Sequence, residues 1–295
     1  MTLMDKRIEK DLTELYNDGA TPGDIQNALL LDGLDDKTSF ATRALPLYYV
    51  GDRKAQTVMV MLNPGCDAEK ANQRLICDIE FNLMKNAKDI RNYHKGRLNY
   101  GHKDSERPDN FDLKQAFFLH KWDNTGITLP DGLCPIPKVC SLKKISKEYK
   151  QTLSKAKEIV LTQKLQLELI PYASRAITKF NPQKIDLLIP FVETLFDEIF
   201  SHERKYVIFC SRLFEDVFKA YNKKHLGIVS FDRSVSFGKL DDSQKPGTCS
   251  IITINYKNKS LKAIIANTFA DQSLTNAYRL MEIYGELCYK EYIKK

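Results

Sequence analysis

At 295 residues, with 43% hydrophobic and 28% charged side chains, the chain has a globular composition and ample material for a buried core, which excludes wholesale disorder. No stretch approaches the roughly 18 consecutive apolar residues of a membrane span, so no membrane partner is expected. The net charge of +7, from 45 basic and 38 acidic residues, is unevenly placed. Residues 1–50 hold 5 basic and 9 acidic side chains, residues 85–107 hold 7 against 3, and residues 138–164 hold 8 lysines against 2 glutamates. A basic middle suits a polyanionic partner such as nucleic acid, although a lysine-rich solvated helix face has the same composition.

The seven cysteines are scattered, odd in number and never spaced Cys-x-x-Cys, which points to reduced thiols rather than a disulfide framework. The five histidines do not cluster with them, and neither a metal nor any other cofactor is expected. The opening Met1-Thr2-Leu3-Met4-Asp5-Lys6-Arg7 has no apolar run of the signal-peptide kind, so the expected location is cytoplasmic.

Along the chain, residues 5–17 carry Ile8, Leu12 and Leu15 at helical spacing, and Thr21-Pro22-Gly23-Asp24 marks a second helix start. Together residues 1–44 read as a small helical appendage. The remaining 45–295 read as one α/β domain. Its first elements are a short strand at 47–50, ended by Gly51-Asp52, and an unbroken apolar run at 57–62, ended by Asn63-Pro64-Gly65. Such a run fits a strand buried on both faces of a parallel sheet. A helix is expected at 68–87, then an irregular, partly helical insertion over 88–140 that mixes polar turn residues with aromatics.

A lysine-rich helix at 147–164 leads into a strand at 165–170, ended by Pro171-Tyr172. A helix at 184–200 precedes a strand at 206–210, and another helix follows at 212–222. Residues 232–248, rich in Asp, Ser, Gly and Pro, read as a loop. Two strands at 251–256 and 261–266 read as a hairpin about Lys257-Asn258-Lys259, and a helix at 272–293 closes the chain. Alternating strands and helices predict a three-layer α/β/α sandwich around a largely parallel sheet.

Ligands of open parallel sheets bind beyond the carboxyl ends of the strands. That rule selects Asn63, Pro64 and Gly65; Tyr172, Ser174 and Arg175; Ser211; and Asn267, Gln272 and Ser273 as candidate site residues. Lys143, Lys144, Lys147 and Lys150 are candidates for a nucleic-acid backbone. Plainer roles exist for several of these: Asn63 as a turn former, Tyr172 as a core aromatic, and 267–272 as the cap of the last helix. No Ser-His-Asp order, Walker loop or Gly-x-Gly-x-x-Gly occurs, which removes support for hydride transfer and ATP chemistry.

The segment Tyr48-Tyr49-Val50-Gly51-Asp52-Arg53-Lys54-Ala55, leading into Val58-Met59-Val60-Met61-Leu62-Asn63-Pro64-Gly65, resembles the first motif of the uracil-DNA glycosylase superfamily, nearest to its mismatch-specific branch. The later order, Glu168-Leu169-Ile170-Pro171-Tyr172-Ala173-Ser174 and then Val207-Ile208-Phe209-Cys210-Ser211, is also similar, and in outline the resemblance spans roughly 45–290. It implies that fold, a nucleic-acid partner (DNA before RNA) and hydrolysis of an N-glycosidic bond, with Asn63 positioning the attacking water and Tyr172 or an insertion aromatic stacking on a flipped base. The family's final motif carries His or Asn followed by Pro-Ser. Here Asn267-Thr268-Phe269-Ala270-Asp271-Gln272 stands instead, leaving Asn267 for the departing base and Gln272 or Ser273 for phosphate. A catalytically silent nucleic-acid binder of the same fold, or a protein-interaction domain with incidental basic charge, are the alternatives.

Overall fold

A computed structural model describes residues 1–29, 40–42, 44–65, 88–98, 110–123, 125, 162–174, 177, 179–240, 246–269 and 278–294. Seven strands form one sheet in the order β1-β3-β2-β4-β7-β6-β5. They are β1 (Tyr49–Gly51), β2 (Thr57–Met61), β3 (Leu165–Glu168), β4 (Tyr206–Phe209), β5 (Val229–Lys239), β6 (Pro246–Tyr256) and β7 (Lys259–Ala266). The central four, β3-β2-β4-β7, run parallel, and the antiparallel pairings lie at the two edges.

Helices α1 (Leu3–Leu12), α2 (Gly23–Leu29), α3 (Ile90–Leu98), α4 (Asn110–Leu119), α5 (Ile185–Phe200), α6 (Leu213–Lys224) and α7 (Tyr278–Ile293) cover its faces. Every residue of β2 is buried, and its side chains divide by alternation. Val58 and Val60 enter a core with Leu165, Leu167, Val207 and Phe209, under α1, α5 and α6. Met59 and Met61 enter a second core with Ile208, Cys210, Ile264 and Ala266, under α4 and α7. The result is the layered α/β arrangement that alternating elements predict.

One element departs from expectation. The stretch 232–248 is not a loop: β5 and β6 run through most of it as long antiparallel strands. Phe231, Val235 and Phe237 mark the alternation, which the serines and Asp232 obscure, and an edge strand exposed along most of its length tolerates such polar residues. Register shifts between Phe231 and Arg233 and between Ser236 and Lys239 bend it further. At the N-terminus, α1 gives way to a π-helical turn over Thr13–Asn17, and Met4, Ile8 and Leu12 are buried in the same core as Val58 and Val60. The expected hairpin is present: Lys257 and Asn258 both hold positive φ (49° and 62°), the turn geometry that matches the twist of β6 and β7. The expected helix at 68–87 and most of 147–164 lie outside the described residues, as does much of the 88–140 insertion.

Candidate functional site

The sheet order decides where a ligand crevice forms. The chain leaves β2 toward β3 on one side, whereas it leaves β4 through α6 toward β5 on the other. Adjacent parallel strands whose outgoing connections diverge leave a gap at their carboxyl ends. Asn63-Pro64-Gly65 and Ser211-Arg212 stand at that gap, flanked by the 169–174 and 267–269 segments that follow β3 and β7.

Asn63 is held from one side. Its Nδ2 donates to Ser174 Oγ at 2.7 Å and to the Pro64 carbonyl at 3.2 Å, with the Ser174 carbonyl at 3.5 Å. Carbonyl oxygens only accept, so the amide nitrogen must face them and Oδ1 must face away. Among the described residues nothing donates to Oδ1. The segment after β3 is zipped onto the exit of β2: Leu169 N donates to Met61 O at 2.8 Å, Ile170 N to Leu62 O at 2.9 Å, and Ser174 N to Pro64 O at 3.1 Å. A bridge between Gly65 and Ser174 completes this extension. Ser174 is fully buried, so the group orienting Asn63 is itself fixed.

Just past β4, Ser211 Oγ lies 3.0 Å from Thr268 Oγ1 and accepts from Leu213 N, the first residue of α6, at 3.2 Å. Arg212 pairs with Glu215 at 2.6 Å and reaches Ser250 Oγ at 3.3 Å.

Two candidates are committed elsewhere. Asn267 Oδ1 accepts from Thr248 N at 2.9 Å and Thr248 Oγ1 at 2.8 Å, and its Nδ2 lies 3.3 Å from Pro246 O. The Tyr284 hydroxyl has one proton. It donates to Thr248 O at 2.6 Å and accepts from Asn267 N at 2.6 Å. Asn267 therefore ties the start of β6 to the end of β7. Tyr172 is 1% exposed and donates to Asp11 Oδ2 at 2.9 Å, edge-on to Phe40 and Phe191. Arg175, Gln272, Ser273, Lys143, Lys144, Lys147 and Lys150 lie outside the described residues.

No family model matches this chain, and neither a curated protein nor a solved structure matches it significantly. Its chemistry has to be read from its own side chains.

Sequence reasoning singled out no acid at this site, yet the end of β3 carries one. Lys164, Gln166 and Glu168 alternate with Leu165, Leu167 and Leu169, and all three polar side chains are buried. Gln166 Oε1 accepts from Gln115 Nε2 of α4 at 3.1 Å and lies 3.5 Å from Lys164 Nζ, while Gln166 Nε2 donates to Glu168 Oε1 at 2.8 Å. Among the described residues, Glu168 Oε2 and Gln115 Oε1 have no hydrogen-bond partner. Burial raises the Glu168 carboxyl to about 8, against the Gln166 amide and the charge of Lys164, which pull it down. The signal in the sequence was the i, i+2, i+4 polar row on a strand whose neighbours are wholly apolar.

A second buried acid, Asp11, joins α1 to the sheet through the Tyr48 hydroxyl at 2.8 Å and the Tyr172 hydroxyl at 2.9 Å. Burial raises it to about 6, with those hydroxyls opposing. Among the described residues no group of three or more His, Cys, Asp or Glu is placed to hold a metal, and no helix is long and apolar enough to cross a membrane. Two shallow depressions, of about 310 and 280 Å³, touch none of the strand-end residues. One lies by Thr2, Phe200 and Lys257 and the other by Arg7, Pro190 and Thr194. The strand-end rule, and not surface concavity, selects the site.

Proposed function

We propose that the crevice between the ends of β2 and β4 binds nucleic acid and hydrolyses an N-glycosidic bond, in the manner of the uracil-DNA glycosylase superfamily that the sequence resembles. The observation that carries this reading is the posture of Asn63. Its Nδ2 is spent on Ser174 and Pro64, and among the described residues nothing donates to its Oδ1 at the strand end. An acceptor fixed in that way orients a water molecule through one of its protons and leaves a lone pair of the water directed at the substrate. The substrate carbon is C1′ of a nucleotide turned out of its stack, and it becomes oxocarbenium-like as the base departs. An amide takes no proton, so Asn63 positions water without general-base assistance, a contribution worth roughly 10²–10⁴-fold where present.

The test is base release from labelled single- and double-stranded oligonucleotides carrying uracil, hypoxanthine, xanthine or mismatched bases, with Asn63→Ala in parallel. The reading requires release by the parent and its loss in the variant. One observation favours a second reading, a binder of the same fold without catalysis: Asn267, which would stabilise the departing base, has its amide engaged by Thr248 and Pro246. That reading requires oligonucleotide binding that weakens steeply with salt and no released base.

A further inference from the structure

We infer that Glu168 is the acid-base residue of the reaction at the crevice, delivering a proton to the departing base; this rests on the glycosidic reading above. Three features of its placement carry the inference. Glu168 is the last residue of β3 and stands in register with Met61, two residues before Asn63 on the neighbouring strand. One carboxyl oxygen is fixed by Gln166 Nε2 at 2.8 Å, which is in turn fixed by Gln115. The other, Oε2, is buried with no hydrogen-bond partner among the described residues, in a sheet face where the neighbouring Met59, Met61 and Ile208 offer none. A carboxyl held at one oxygen and unengaged at the other is a structural liability unless the second oxygen is used.

Among the described residues, the titratable and charged groups around it are few. Lys164 immediately precedes β3, beyond Gln166, Cys210 follows β4 on the same face, and Lys114 of α4 is turned toward the Phe269 carbonyl at 3.2 Å. None of the described residues forms an ion pair with Glu168. The carboxyl is therefore kept neutral by burial and retains its proton at neutral pH.

The step balances without a co-reactant. The C1′–N bond breaks and its electron pair stays on the base. The Glu168 Oε2–H proton passes to the base, leaving a carboxylate. Water oriented by Asn63 Oδ1 adds to C1′, and the proton that the water loses restores neutral Glu168. This supplies the proton chemistry that an amide-only site lacks. The plainer alternative is that Glu168 and Gln115 form a buried packing feature with no part in the reaction.

Glu168→Gln separates the two, because glutamine keeps the shape and neutrality of the protonated acid and cannot pass a proton on. Base release, oligonucleotide affinity and thermal midpoint are measured for the parent, Glu168→Gln and Asn63→Ala. Glu168→Gln is expected to fold and bind as the parent does, with release lowered by roughly 10²–10⁴-fold. The parent's release is expected to fall away above a midpoint of about 8, and the residual release of Glu168→Gln to lack that alkaline limb. Unchanged release by Glu168→Gln, with the same alkaline limb, overturns the inference while base release by the parent preserves the reading beneath it. No release by the parent on any substrate removes both. If Glu168→Gln does not fold, carboxyl-labelled parent protein decides: a glutamate carboxyl titrating near 8 that shifts when oligonucleotide binds supports the role, and one that ignores the ligand refutes it.

Discussion

Replacing Asp11 with asparagine tests whether a buried carboxyl at the join of α1 and the sheet favours its neutral form. Asp11 is fully buried, its Oδ2 accepts from Tyr48 and Tyr172, and its Oδ1 has no hydrogen-bond partner among the described residues. Desolvation raises its pKa from 3.8 to about 6, more than the two hydroxyls and the charge of Arg7 pull it down. The folded chain thus holds this proton more tightly than the unfolded chain does. The associated stability is fully present below about pH 4 and is lost as pH rises through about 6. A rise of about 2 in pKa on folding corresponds to about 3 kcal/mol, since a tenfold change in proton affinity is worth about 1.4 kcal/mol. An asparagine side chain does not titrate, so the stability difference between Asp11→Asn and the parent should move in the variant's favour by about 3 kcal/mol between about pH 3 and pH 7.5. That change with pH is independent of whatever the new NH₂ costs in place of Oδ1, which weighs equally at both pH values. Urea unfolding of both proteins at the two pH values gives the quantity directly. A stability difference that does not change with pH would refute the reasoning, and one that moves the other way would mean that the ionised carboxylate beside Arg7 is the stable form.

Two further substitutions probe the scaffold. A β-carbon added at Gly285 in α7 would sit 2.0 Å from the Phe118 carbonyl oxygen and 2.7 Å from its carbon, both backbone atoms of α4. Gly285→Ala should therefore destabilise by about 2 kcal/mol or more, even after the roughly 1 kcal/mol that alanine gains over glycine in a helix; an unchanged melting temperature would contradict this close approach. Arg53 bridges Asp5 of α1, at 2.6 Å, and Glu198 of α5, whose side chain is fully buried. Arg53→Met should cost about 3–5 kcal/mol by leaving Glu198 unpaired, and adding Glu198→Leu should recover much of it, both read by urea unfolding.

The buried strands were legible because their pattern leaves little choice: 57–62 and 206–210 are apolar without interruption, and such runs fit only a sheet covered on both faces. The hairpin about Lys257-Asn258 was equally plain, since a short polar turn between two apolar strands admits few geometries. The strand over Val229–Lys239 was hidden because serine, aspartate and glycine are turn residues, and only its place at the sheet edge makes them acceptable there. At the site, the strand-end rule selected Asn63 and Ser174, which do meet, at 2.7 Å. It could not distinguish them from Tyr172 and Asn267, whose polar atoms are turned to Asp11 and Thr248, because the end of a strand does not reveal where a side chain finds its partner. Glu168 was passed over for a related reason. Polar residues alternating along a strand ordinarily mark a solvated face, and the cover that α4 lays across this one joins residues about 50 apart in sequence, a contact no local pattern carries.

The most direct test of the central claim is base release from uracil-, hypoxanthine-, xanthine- and mismatch-containing oligonucleotides by the parent and by Asn63→Ala, at low and high salt. The account predicts a free base from at least one substrate, and its disappearance when the side chain that positions water is removed. Release that survives Asn63→Ala would contradict the role given to the crevice, and the absence of release from every substrate would contradict the glycosidic reading itself.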